Sequence, residues 1–350
     1  MTLPEPASSG SLFALPEALP LLRARVTLRI LEDTTLPPFK GALLRGGFGY
    51  AFQRATCPAE CRGHSDQCTV TALCPYRWIF ETPHPPDVGH LHDLRDVPRP
   101  FVIEPPLDQQ RQYAAGAALE FGLVLIGRGI DYLPYFLFAF EQLGRMGLGR
   151  RHARARLERV EALQPWQPTG QVVYQDGRVV SLTDSGHEMA DGAGQTDRGT
   201  YALPVYTATT IAERAASLPA DLRLDLLTPL RVKARGAFIE TVDPPALVQA
   251  LCWRLNALST FHGGGPWPTE YRALVAQAQA ITVAQEQVHW ADWERTSTRG
   301  GQRQKMKLGG IIGSALLHSV PPDIRTLLLA GSIMHVGKAC VFGHGQLAVG

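Results

Sequence analysis

The 350-residue chain is long enough for two compact domains or one large one, and with 45% hydrophobic residues it can bury a sizeable core. A formal net charge of only +2 supplies no global field for nucleic acid, so any such surface has to come from local segregation of charge. No window reaches the roughly 18 uninterrupted apolar residues of a membrane span, and the N-terminus lacks a basic stretch followed by an apolar one. We therefore expect a cytoplasmic protein with no membrane partner, in a compartment where disulfides are uncommon.

Residues 22–31, LRARVTLRIL, alternate in polarity and predict a half-buried strand. After the turn at Pro37–Pro38, Leu43, Leu44, Phe48 and Phe52 recur at helical spacing and predict a helix over about 41–54. Glycines at 46, 47 and 49 are unusual there, each costing up to about 1 kcal/mol relative to alanine. They indicate either close helix packing or a close approach of backbone to a ligand. The segment CPAECRGHSDQCTVTALC (57–74) follows, then a proline-rich stretch to about residue 112. Residues 117–127 return as a strand, 133–147 as a helix opened near Pro134, and 154–163 as a basic strand. QVVYQDGRVVSL predicts a hairpin turning at Asp176–Gly177, and the polar, glycine-rich stretch 183–204 a linker or mobile loop.

In the second half, 222–238 alternates as a strand, and 243–263 is a helix with proline near its start and glycines after its end. Residues 281–297 and 305–319 are strands, 321–337 a helix and 346–349 a last short strand, with one extra helix around 268–280. The order β-α-β-β-α-β is the ferredoxin-like order, which the first half follows less cleanly. The expected fold is α+β, with tandem ferredoxin-like (RRM-like, βαββαβ) domains. The first covers 20–165 with a cysteine-rich insertion at 57–74, a hairpin and linker occupy 166–215, and the second domain covers 216–350 with a glycine-rich loop.

Charge is segregated despite the near-neutral total. Residues 144–161 hold six arginines against two glutamates, and 294–310 hold five basic residues against one glutamate. Each lies beside glycine-rich turns, whose backbone N–H groups can hold phosphate oxygens. A solvated face would explain either segment alone; two in matching places favour a polyanion track. No GxxxxGK[ST] sequence is present and GRGIDY does not open a helix, so nucleotide hydrolysis and dinucleotide binding have no motif here.

The cysteine segment admits three readings. Cys57, Cys61, Cys68 and Cys74 as thiolate ligands point to structural Zn²⁺ first. An iron–sulfur cluster is the second, since four sulfurs hold one, and free or disulfide-forming thiols are the third. The spacers of three, six and five residues match neither a common zinc knuckle nor a short ferredoxin run. Cys252 and Cys340 sit in apolar surroundings and are expected to pack as small buried hydrophobes.

Four stretches carry a family likeness: LPPFKGALLRGGFGYAF (36–52), TPLRVK (228–233), DWERTSTRGGQRQKMKLGGIIG (292–313) and HVGKACVFGHGQLAV (335–349). The chain resembles a Cas6-type endoribonuclease, a RAMP-superfamily protein that cuts CRISPR precursor RNA. The resemblance implies tandem ferredoxin-like domains and CRISPR repeat RNA (crRNA) as partner, with assembly with, or handover to, other Cas effector subunits. It also implies metal-independent cleavage in which the RNA's own 2′-OH attacks the adjacent phosphorus, leaving 2′,3′-cyclic phosphate and 5′-OH ends. Such chemistry needs a base, an acid and cations around the phosphorane. Family members often place a histidine in or near the first helix; here that helix has Tyr50 instead, and an ordinary phenol is a poor base at neutral pH. The candidate catalytic residues are Tyr50, His64, His344 and Lys40, with His262 and His335 as further histidines. The expected RNA contacts are Arg45, Arg54, Arg145, Arg150, Arg151, Arg231, Lys233, Arg303, Lys305 and Lys307, together with Gly337, Lys338, Gly343 and Gly345 of the C-terminal loop. The departure at Tyr50 keeps a second reading open, a noncatalytic crRNA-binding RAMP subunit of an effector complex.

Overall fold

β1 (Leu21–Ile30) sends Leu22, Ala24, Val26, Leu28 and Ile30 into one core, while Arg23, Arg25 and Arg29 on its other face meet Glu104, Glu161 and Glu158. The computed structural model describes residues 13–61, 68, 74–84, 91, 94, 96–180, 203–297 and 304–350. After β1 come β2 (Thr34–Thr35), α1 (Gly41–Thr56), α2 (Pro75–Phe80), β3 (Phe101–Glu104), β4 (Gln112–Tyr113), β5 (Ala118–Ile126), α3 (Leu133–Met146), β6 (Ala155–Leu163), β7 (Gly170–Gln175) and β8 (Arg178–Val179). The first sheet has the order β3-β5-β1-β6-β7-β8, all antiparallel. β3, β5, β1 and β6 of this sheet, with α1 and α3, form a βαββαβ unit. Phe48 of α1 builds the core under it, reaching Phe140 and Phe136 of α3 at 4.9 and 5.1 Å and Phe101 of β3 at 5.5 Å.

The second unit comprises α4 (Ala208–Ala216), β9 (Leu222–Leu230), β10 (Lys233–Ala234), β11 (Ala237–Phe238), α5 (Pro244–His262), α6 (Tyr271–Ala278), β12 (Thr282–Ala291), β13 (Glu294–Ser297), β14 (Gln304–Lys307), β15 (Gly310–His318), α7 (Pro322–Met334) and β16 (Leu347–Val349). Its sheet order, β12-β15-β9-β16, repeats the connectivity of the first unit. The tandem ferredoxin-like fold expected from the sequence is therefore present. Among the described residues no helix is long and apolar enough to cross a membrane.

Several elements differ from expectation for local reasons. β3 lies in the stretch read as proline-rich loop, because four buried residues between Pro100 and Pro105 are too few to show a period. The hairpin placed in the connecting segment 166–215 continues the first sheet, since β7 pairs with β6. α4, from the same segment, is capped by Thr207, whose hydroxyl accepts from the Thr210 N–H at 3.1 Å. The strand expected over 222–238 breaks after Leu230 into a separate hairpin, β10–β11, and β13–β14 form a ribbon of their own beyond β12 and β15. The cysteine-rich stretch follows α1, but 62–67 and 69–73 lie outside the described residues, as do His64, Arg303, the side chain of Lys305 and the linker residues 183–202.

The units share an apolar seam: Leu21, Val102, Val124 and Ile126 of the first sheet belong to the same cluster as the core of the second domain. A polar link crosses it. Glu104 at the end of β3 accepts from Arg23 Nε at 2.9 Å and from His335 Nε2 at 3.0 Å, while His335 Nδ1 donates to the His344 carbonyl at 2.9 Å. The loop 335–345 that carries these residues is built on left-handed backbone. Gly345 has φ +68, and a Cβ there would collide with the Val336 carbonyl oxygen. Gly345→Ala should therefore cost more than about 1 kcal/mol of unfolding free energy, measured as a lowered denaturant midpoint.

Candidate nucleic-acid interface

The glycine loop of the second domain lies directly on α1 and β3 of the first. A Cβ at Gly41 would clash with the Phe342 carbonyl oxygen, and one at Gly343 with Pro105. The Thr228 hydroxyl donates to the Gly343 carbonyl at 2.7 Å and accepts from the Gln346 N–H at 2.9 Å, while the Lys338 N–H donates to the Arg231 carbonyl at 3.0 Å. These bonds leave the Lys338 side chain exposed at the mouth of a cleft of about 1820 Å³ between the domains.

One wall of the cleft is α1, through Arg45, Gly46, Gly49, Tyr50 and Gln53; the opposite wall combines the loop at 337–342, residues 231–233 and the α5 side chains Gln249 and Trp253. Among the described residues its charged lining is Arg45, Arg99, Arg231, Lys233, Arg254 and Lys338 against Glu81 and Asp96. The wall is thus basic although the chain is nearly neutral. Tyr50 is 55% exposed and Trp253 43% exposed, so both present aromatic surface to the cleft. The Arg54 guanidinium stands 5.8 Å from the Tyr50 ring centroid. Arg45 lies over Phe80, Phe101 and, at 5.8 Å, Phe342 of the opposing loop, joining the two walls. The helix glycines divide between the two readings given to them. A Cβ at Gly47 would sit 2.7 Å from Leu143 of α3, which is helix packing, whereas Gly46 and Gly49 line the cleft.

The structure therefore gathers Arg45, Tyr50, Arg231, Lys233, Gly337 and Lys338 in one place. Arg231 is largely buried: its guanidinium donates to the Gly309 carbonyl and lies 4.3 Å from the Phe238 ring, so its first role is to hold the second domain's wall. Arg145, Arg150 and Arg151 are exposed around the α3–β6 turn and do not line the cleft, and Arg145 pairs with Glu141 at 3.4 Å. Lys307 is exposed at the end of β14 and also lies outside the lining.

Two candidate catalysts are corrected. Lys40 is fully buried, its ammonium 3.3 Å from the Pro38 carbonyl and 3.4 Å from Asp108 and lying over the Tyr113 ring, so it cannot reach a substrate. His344 is fully buried between Phe39 and Trp293, with ring centroids at 5.5 and 4.7 Å. Burial, with the nearby Arg231 charge, pushes its pKa down to about 3, so it is neutral and enclosed at neutral pH. His262 is likewise buried: it donates to the Pro98 carbonyl at 2.7 Å, and burial lowers its pKa to about 4. His335 is committed to the link with Glu104. Among the described residues no histidine lines the cleft. Trp253 and Gln249 escaped the sequence reading because α5 is buried on most of its surface, which hides a single exposed strip.

Beyond the C-terminus of α1, Cys57, Cys61, Cys68 and Cys74 line one small void together with Gln53, Tyr76 and Arg77. Burial pushes the Cys57 thiol up to about 12, which makes it a poor nucleophile at neutral pH. Cys252 and Cys340 are buried, as their apolar surroundings predict.

Comparison with known proteins points the same way. A family model described as CRISPR-associated endoribonuclease Cas6 matches residues 224–347, and one described as an N-terminal domain matches 19–185. An uncharacterized protein of Archaeoglobus fulgidus is 24% identical over 315 residues, covering 89% of this chain and 91% of its own. Among solved structures, a Cas6 product complex is similar at TM-score 0.50 and 16% identity, covering 94% of this chain and 99% of that one. A partial Cas6-RT-Cas1–Cas2 complex is similar at TM-score 0.55 and 14% identity, over 96% of this chain. This chain spans 47% of that longer one.

Proposed function

We propose that the chain is a Cas6-type RAMP protein that binds CRISPR repeat RNA in the cleft between its domains and cleaves it without a metal. The observation that carries the reading is the basic, aromatic-bearing cleft formed by α1 and the glycine loop. Lys233, Lys338 and Arg45 hold phosphates, and Trp253 offers a face on which an unpaired base stacks. In the reaction the 2′-oxygen bonds to phosphorus and the bond to the 5′-oxygen breaks. The 2′ proton leaves to a base, and an acid protonates the 5′-oxygen. Tyr50 is suited to the acid's part, because a phenol donates a proton more readily than it accepts one at neutral pH. Lys233 and Lys338 offset charge on the phosphorane. The product is then handed to, or held with, other Cas effector subunits.

A noncatalytic RNA-binding subunit is the second reading, favoured by the lack of a histidine among the described lining residues. Labelled repeat RNA incubated with the protein in EDTA separates the two. Discrete cleavage with a 2′,3′-cyclic phosphate end, abolished by 2′-deoxy substitution at the cut site, supports the nuclease. Tight stoichiometric binding with intact RNA supports the subunit. In either case Lys338→Ala should weaken binding evenly across repeat sequences and reduce the slope of log affinity against log salt by about 1, read by filter binding.

A further inference from the structure

We propose that Cys57, Cys61, Cys68 and Cys74 bind a single tetrahedral metal ion of the Zn²⁺ class, and that this ion fixes the α1 wall of the interdomain cleft. The four residues come from distinct positions along the backbone. Cys57 caps the C-terminus of α1, Cys61 ends the 3₁₀ turn Ala59–Cys61, Cys68 follows, and Cys74 precedes the first residue of α2. Despite this dispersion they line one void, and three of them are buried. Four sulfurs gathered from separated positions are the donor set that selects zinc over harder cations.

Size favours one of the readings left open by the sequence. The void measures about 10 Å³, close to the least that holds one water. A space of that size takes one ion with the sulfurs drawn inward, whereas a cluster of several irons and sulfides would need them to move apart. All four cysteines are free thiols, so no disulfide claims them. Cys57 and Cys61 lie close enough to perturb one another, as do Cys61 and Cys68. Among the described residues no group of three or more His, Cys, Asp and Glu side chains already stands as an ion-holding set. Binding therefore has to draw the sulfurs inward, to about 2.3 Å from the ion, as the thiols lose their protons. Arg77, on the same void, offsets part of the resulting negative charge.

The consequence for the cleft follows from two shared residues. Gln53 and Tyr76 line both the thiol void and the interdomain cleft. Tyr76 stacks on Phe80 at 4.9 Å, and Phe80 packs against Phe52 of α1 at 5.3 Å. An ion gripping Cys57 at one end and Cys74 at the other ties α1 to α2 and holds this wall in place. This second step rests on the RNA-binding reading of the cleft; the metal site does not.

The test uses the full chain. Elemental analysis of protein purified without added chelator should find one zinc per chain. Replacement by Co²⁺ should give thiolate-to-cobalt charge-transfer absorption with tetrahedral ligand-field bands. Cys68→Ala, at a half-buried position whose loss leaves the packed thiols in place, should abolish the bands and stoichiometric zinc while keeping the native far-ultraviolet spectrum. Absence of metal, cobalt binding without thiolate bands, or iron with acid-labile sulfide would each overturn the site. Stripping the ion should lower affinity for repeat RNA several-fold, and zinc should restore it. Unchanged affinity in stripped protein would overturn the coupling to the cleft. Failure of the loaded protein to bind repeat RNA at all would overturn the RNA reading, and with it the coupling, while the cobalt spectrum still decides the metal site.

Discussion

Tyr50→Phe is expected to leave repeat-RNA affinity unchanged and to lower the single-turnover cleavage rate by about 100-fold, the lower end of what a positioned proton donor contributes. The substitution removes one hydroxyl and keeps the ring, so the cation–π contact with Arg54 and the stacking surface remain. Tyr50 is more than half exposed, so neither folding nor stability should change. A loss confined to the chemical step therefore reports proton donation. An unchanged rate would remove Tyr50 from the mechanism and leave Lys233 and Lys338 as the proton carriers to test. A wild-type protein that binds but never cuts would decide for the RNA-binding subunit before the variant is needed.

The same geometry explains what the sequence could and could not convey. β1, α1, β9, α5 and α7 are long enough to show their periods, and with them the repeated βαββαβ connectivity was legible. β3 was not, because four residues between prolines show no period, and its absence made the first domain look irregular. Charge located Arg45, Lys233 and Lys338, since long cations beside glycine turns are rarely buried. Residue type alone misled at Lys40 and His344. Each has the chemistry of a catalyst, but each faces inward, Lys40 beneath Asp108 and Tyr113 and His344 between Phe39 and Trp293. The cleft joins α1 to α5 and the terminal loop across about 200 positions or more of sequence. No local pattern encodes that proximity, which is why Trp253 was missed.

Glu104→Ala is expected to destabilise the protein by about 3–5 kcal/mol, the usual cost of removing one member of a buried ionic set. Glu104 is 5% exposed and His335 is fully buried, so without the carboxylate the imidazole faces a cavity it cannot bond. Arg23, a third exposed, recovers water and adds little to the loss. Burial raises the Glu104 pKa, but the hydrogen bond from His335 and the charge of Arg23 outweigh it and hold the carboxyl below its ordinary value of 4.5. A depressed carboxylate contributes stability that is fully present above the unfolded-state value and is lost as pH falls through the folded one. Wild-type stability from denaturant titrations should therefore decline as pH drops below about 4.5, and Glu104→Gln should flatten that decline while starting from a lower plateau at neutral pH. The link also bears on function. His335 holds the His344 carbonyl on its other nitrogen, so the contact that joins the domains also sets the loop carrying Lys338. Repeat-RNA affinity should accordingly fall in Glu104→Ala even at temperatures where the variant remains folded, and full affinity there would mean that the apolar seam of Leu21, Val102, Val124 and Ile126 alone positions the loop.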